Sequence, residues 1–91
     1  MEVDEAKLKA CFCKALGLRP DQITGDLKYQ SIQTWDSIGH MHLVFELEDA
    51  FGIMFDTDDI VNMSDVAEGR KIVLRLLQEK EKTDEHRTET T

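Results

Sequence analysis

A chain of 91 residues encloses one modest core and has no length for a second, so its function must sit on a single compact unit. With 41% apolar and 33% charged residues it has the balance of an ordinary globular protein rather than a disordered or membrane one. The formal net charge of −8 opposes binding to nucleic acid and to anionic lipid and favours basic protein partners. No apolar run approaches the roughly 20 residues that cross a bilayer, and the acidic start Met1-Glu2-Val3-Asp4-Glu5 lacks the positive charge of an export signal, so a cytoplasmic location is expected.

From about Asp4 to Leu16, the apolar residues Leu8, Cys11, Phe12, Ala15 and Leu16 recur at helical spacing, which predicts a first helix that Gly17 ends. Cys11 and Cys13 sit two apart on that helix and point in different directions, so they read as reduced thiols rather than a disulfide or a metal pair. Leu18-Arg19-Pro20 opens a long connection, with one isolated turn expected over Asp21 to Ile23. Thr24 to Trp35 shows no sustained period and reads as an ordered loop; loops this long in small domains tend to serve a function.

Asp36 is a good N-cap, and the helix it opens should run from Ser37 to about Phe51, with Gly52 closing it. Asp56 to Val61 predicts a brief helical segment opened by acidic residues. Ser64 is expected to cap a last helix with a stripe of Val66, Ile72, Val73, Leu76 and Leu77, fraying near Lys82. Residues 83–91 contain no apolar side chain and are expected to be a disordered tail, leaving residues 1–82 as the domain. The fold class predicted is all-α: a small four-helix bundle of three main helices and one short helix, with a long first loop packed across one end.

At 100° per residue, Gly39, His40, Leu43, Leu47, Ala50 and Phe51 share the core side of the second helix, with Val44 at its edge. Ile38, Met41 and Phe45, with Glu48, form a second apolar strip on the opposite side. Either another part of the chain, such as the long loop, covers that strip, or it is a docking surface. No Lys or Arg occurs between Lys28 and Arg70, and Glu46, Glu48, Asp49, Asp56, Asp58 and Asp59 would rim the strip with negative charge suited to a basic partner.

The run Trp35-Asp36-Ser37-Ile38-Gly39-His40-Met41, followed by Leu43-Val44 and then Leu47-Glu48-Asp49-Ala50-Phe51-Gly52-Ile53, resembles the carrier-protein family: acyl carrier proteins and their peptidyl and aminoacyl relatives. The family's Asp-Ser-Leu motif stands here as Asp-Ser-Ile, and the similarity extends from the first helix through Leu77. The resemblance implies that Ser37 receives 4′-phosphopantetheine from coenzyme A on a magnesium-dependent phosphopantetheinyl transferase, with Asp36 both as cap and as transferase contact. It implies that the arm's thiol holds acyl or aminoacyl groups as thioesters, and that Ile38, Met41, Phe45, Glu48, Asp49, Asp56, Asp58 and Asp59 meet partner enzymes. Those partners would be an acyl- or aminoacyl-activating ligase and a downstream acyltransferase or synthase. The chain itself would be a non-catalytic carrier, with a monomer expected.

The placement is physically apt, since a phosphate on the first turn of a helix meets free N–H groups and the positive helix end. Many fatty-acid carriers have acidic residues where this chain has Gly39 and His42, which favours a discrete carrier serving a dedicated or specialised pathway.

Other chemistries fare worse. His40 and His42, at i and i+2, cannot converge on one metal ion from one helix face. His40 reads as a core-edge histidine with a hydrogen-bond partner and His42 as exposed. Asp56-Thr57-Asp58-Asp59 starts like a calcium loop but has Val61 where the sixth-position glycine is required. Ser37 lacks both a nucleophile elbow and a base-and-orienter pair, so a hydrolase is not supported. The rival from another class is a cofactor-free helical adaptor that binds its partner through the second helix.

Overall fold

The computed structural model describes residues 3–90, with side chains described over residues 3–81. Four helices follow in order: α1 (Glu5–Leu16), α2 (Ser37–Phe51), α3 (Thr57–Asn62) and α4 (Val66–Thr90), with one turn of 3-10 helix at Pro20–Gln22. Three are long and one is short, and no strand occurs among the described residues, as the all-α reading expects. No helix among them is long and apolar enough to cross a membrane.

Local residues set the helix ends, among them Gly17, Asp36 and Gly52, which the sequence singles out. Asp4 accepts from the N–H of Lys7 at 3.1 Å and starts α1, and Gly17 ends it in the left-handed conformation, φ 68°. Gly52 does the same for α2 at φ 63°. Asp56 opens α3 with a reciprocal capping box: its carboxylate accepts from the N–H of Asp59 at 2.9 Å, and the Asp59 carboxylate accepts from the N–H of Asp56 at 3.3 Å.

Two boundaries differ from the sequence reading. The residue that caps α4 is Asp65, whose carboxylate accepts from the N–H of Glu68 at 2.7 Å, rather than Ser64. Ser64 is committed by its backbone, donating to the Asn62 carbonyl and accepting from the N–H of Tyr29. Helix α4 continues to Thr90, past Lys82 where fraying was expected; neither glycine nor proline follows Gly69 to stop it. The tail expected over residues 83–91 falls on side chains outside the described residues.

The core is built from Leu8, Phe12 and Leu16 of α1, Leu43, Val44 and Leu47 of α2, Met63, and Ile72 and Val73 of α4, all buried. Trp35, at the end of the long loop, is completely buried and meets Phe12 edge to face with ring centroids 5.8 Å apart. Of the expected α4 stripe, Leu76 and Leu77 are partly buried against this core, as is Leu74.

Order in the long loop comes from α4. The first N–H groups of a helix have no intrahelical acceptor, and here those of Val66 and Ala67 donate to the carbonyls of Leu27 at 3.0 Å and Gly25 at 3.2 Å. An isolated antiparallel bridge pairs Lys28 with Asp65 beside them. Further along, Gln30 takes a left-handed backbone, φ 66°, and its N–H donates to the Trp35 carbonyl at 2.8 Å, folding the loop's end back on itself. At its start the Thr24 hydroxyl donates to the Asp26 carboxylate at 2.6 Å and holds that carboxyl below its usual range.

Both cysteines are free. Cys11 is buried with its thiol against the Glu46 carbonyl at 3.5 Å, and burial, reinforced by the Glu46 charge, pushes the thiol up from its ordinary value. Cys13 is only partly buried. In the folded protein, alkylation near pH 8 should therefore add one label, on Cys13, with Cys11 reacting only on unfolding; peptide mapping that finds equal labelling would contradict this.

Candidate functional site

The site begins where the long loop becomes α2. Asp36, in extended conformation, accepts the N–H of Gly39 into its carboxylate at 2.8 Å, and its carbonyl accepts from the N–H of His40 at 2.8 Å. With the cap supplied by Asp36, Ser37 is left as the first helical residue, exposed, and no hydrogen bond to its hydroxyl occurs among the described residues. The N–H groups of Ser37 and Ile38 likewise find no acceptor there. A phosphodiester on the Ser37 oxygen fits this arrangement: the oxygen is accessible, and two free N–H groups and the positive end of a 15-residue helix lie beside it.

The loop closes tightly on this turn because residue 39 is glycine. A Cβ placed on Gly39 would stand 2.0 Å from the Thr34 carbonyl oxygen and 3.4 Å from a methyl of Leu16. Any side chain there would push Thr34 and Trp35 away from the turn that bears Ser37.

His40 faces inward, as the core-edge reading expects, and both of its ring nitrogens are engaged. Its Nδ1 accepts from the Trp35 indole N–H at 2.9 Å, and its Nε2 lies 2.7 Å from the carbonyl of Ile60 in α3. Tyr29 packs edge to face on the imidazole with centroids 5.1 Å apart. Around this group Tyr29, Ile60, Val61, Met63 and Ser64 line a cleft of about 290 Å³. His42 points outward.

The apolar strip of α2 is not covered by the loop or by any other described part of the chain. Ile38 is 67% exposed, Phe45 60% and Met41 36%. Phe45 lines a cleft with Lys14 and Ala15 of α1 and with His42, Glu46 and Asp49 of α2. Two further apolar side chains escaped the sequence reading: Val61 of α3 is 73% exposed and Met54, in the turn before α3, is 81% exposed. A six-residue helix is too short for periodicity to assign its faces, which is why Val61 gave no signal.

The acidic residues divide. Asp49, Asp56 and Asp58 are exposed, as a charged rim requires. Glu48 is partly buried, and its carboxylate accepts from the N–H of Phe55 at 2.8 Å, bracing the α2–α3 turn. Asp59, expected in the rim, is 5% exposed, and its carboxylate pairs with Arg75 of α4 as well as with the Asp56 N–H. It ties α3 to α4 and offers little to a partner.

No curated protein matches the chain. Against protein families, residues 6–68 match the phosphopantetheine attachment site family, a span that takes in α1, the loop, the Asp36-Ser37 junction, α2, α3 and the start of α4. With more than half its length matched, the chain belongs to the phosphopantetheine attachment site family, whose members carry a 4′-phosphopantetheine prosthetic group.

Proposed function

We propose that the chain is an acyl or aminoacyl carrier with Ser37 as its attachment residue. The observation that carries this is the Ser37 hydroxyl: exposed, without a partner among the described residues, and on the first turn of a helix whose cap is provided by its neighbour. When bound, the phosphopantetheine group supplies a terminal thiol that holds a carboxylic acid as a thioester. The protein's own residues hold the attachment point at a fixed helix end, offer N–H groups to the phosphate and keep the surrounding loop closed through Gly39. Acid–base chemistry is left to partner enzymes.

Docking of those partners is assigned to Ile38, Met41 and Phe45, with Asp49, Asp56 and Asp58 as the anionic surround. This reading is supported by the exposure of the strip and by the absence of Lys and Arg between residues 28 and 70. Glu48 and Asp59 contribute through the bracing described above. A transferase that takes coenzyme A and an acid-activating ligase are the first partners expected, followed by an acyltransferase or synthase.

The test is intact mass after incubation with coenzyme A, magnesium and a broad-specificity phosphopantetheinyl transferase. One phosphopantetheine added per chain supports the carrier. No gain by folded protein, alongside a control carrier that is modified, would leave the exposed strip as the docking face of a cofactor-free adaptor.

The strip also makes a stability prediction. Phe45→Ala should cost less than about 1 kcal/mol, as at exposed positions, against about 3–5 kcal/mol for a buried phenylalanine. Urea unfolding of the two proteins measures it, and a loss in the larger range would place Phe45 in the core.

A further inference from the structure

We propose that His40 is a positioning residue that latches α3 to the turn bearing Ser37. The argument starts from α3 itself. Six residues are far below the length at which a helix persists alone, so its place must be imposed from outside. Its front end is held by the Asp56–Asp59 capping box and by Arg75. At its rear, the last carbonyls have no intrahelical donors. Those of Asp59 and Asn62 accept from the N–H groups of Met63 and Ser64, while that of Ile60 is met by the His40 imidazole at 2.7 Å.

The other side of the imidazole fixes which nitrogen donates. The Trp35 indole has only an N–H, so Nδ1 must accept; Nε2 therefore carries the proton and donates to Ile60. One neutral ring thus joins three elements: Trp35 at the loop's end, the first turn of α2 and α3. Trp35 and His40 flank Ser37 in the chain, two residues before it and three after, so the same latch that holds α3 also closes the segment around the attachment residue. Through it, exposed Asp58 and Val61 of α3 keep a fixed position relative to Ser37. The link to loading rests on the carrier reading; the link to α3 does not.

Three measurements on the full chain test this, using His40→Leu, which removes both bonds, His40→Gln, which retains one acceptor and one donor, and His42→Gln as a control that also assigns the spectra. Nitrogen NMR of the parent should find His40 neutral with the proton on Nε2; a proton on Nδ1, or an imidazolium at pH 7, would overturn the latch. In His40→Leu, amide hydrogen exchange over residues 57–62 should accelerate at least about fivefold relative to α1, the scale of one lost hydrogen bond, with His40→Gln partly restoring it. Unchanged exchange in α3, or equal acceleration in every helix, would reduce His40 to an ordinary packing residue.

With the transferase, His40→Leu should raise KM for the carrier by a similar factor and leave kcat within about twofold, because the hydroxyl itself is untouched. A fall in kcat alone would refute the positioning of α3 as the cause. Were the parent not loaded at all, the carrier reading would fail, and exchange and tautomer would still decide whether His40 holds α3.

Discussion

Ser37→Ala should abolish phosphopantetheine loading completely and change folding stability by no more than about 0.5 kcal/mol. The separation is unusually clean because the capping role at this helix start belongs to Asp36, whose carboxylate already holds the Gly39 N–H. The Ser37 hydroxyl has no partner among the described residues, and the side chain is exposed, so alanine removes no contact and leaves no unsatisfied group. Intact mass and thermal unfolding, read on the same samples, give the result. Mass gain in the variant would move the attachment to another hydroxyl, and Ser64, also exposed, would be examined first. A stability loss above about 1 kcal/mol would mean that the serine is structural.

The second large effect is expected at Gly39, where the outcome is opposite in kind: folding suffers first. Alanine usually gains about 1 kcal/mol over glycine inside a helix. At this position its methyl would meet a backbone oxygen at 2.0 Å, which no side-chain rotation can relieve. Overpacking costs about 1–3 kcal/mol and the contact lies at the severe end, so a net loss of about 2 kcal/mol is expected. For a domain of this size that lowers the thermal midpoint by about 8–16 °C. Loading should slow as well, because Thr34 and Trp35 must shift beside the attachment turn. A midpoint equal to or above the parent's would show that the loop yields at no cost and that the close approach is incidental.

Much of the fold was legible because its punctuation is local. Asp36 caps α2, acidic residues open α3, and Gly17 and Gly52 end the helices they follow, each acting over a few residues. The candidate attachment residue was legible for the same reason, through the Asp36-Ser37 junction and the helix after it. What stayed hidden depends on partners far apart in the chain. Asp59 counted as one more surface carboxylate until Arg75, sixteen residues on, closed over it. Ser64 was expected to cap α4, yet the Asp65 carboxylate holds the Glu68 N–H, while Ser64 pairs through its carbonyl with Tyr29 in the loop. A helical wheel put His40 on the inner face correctly but could not supply Trp35, which lies before the helix begins.

The hydrogen bonds from Val66 and Ala67 back to Leu27 and Gly25 join segments about forty residues apart. During synthesis the loop is made first, and its carbonyls must wait for donors that leave the ribosome much later. Until the start of α4 has emerged, the carbonyls of Leu27 and Gly25 lack these donors, and the loop that leads to Ser37 is without its tie to α4. That tie is completed late in translation, when most of the domain has been made, and an enzyme acting at Ser37, as proposed above, would meet the finished loop only then.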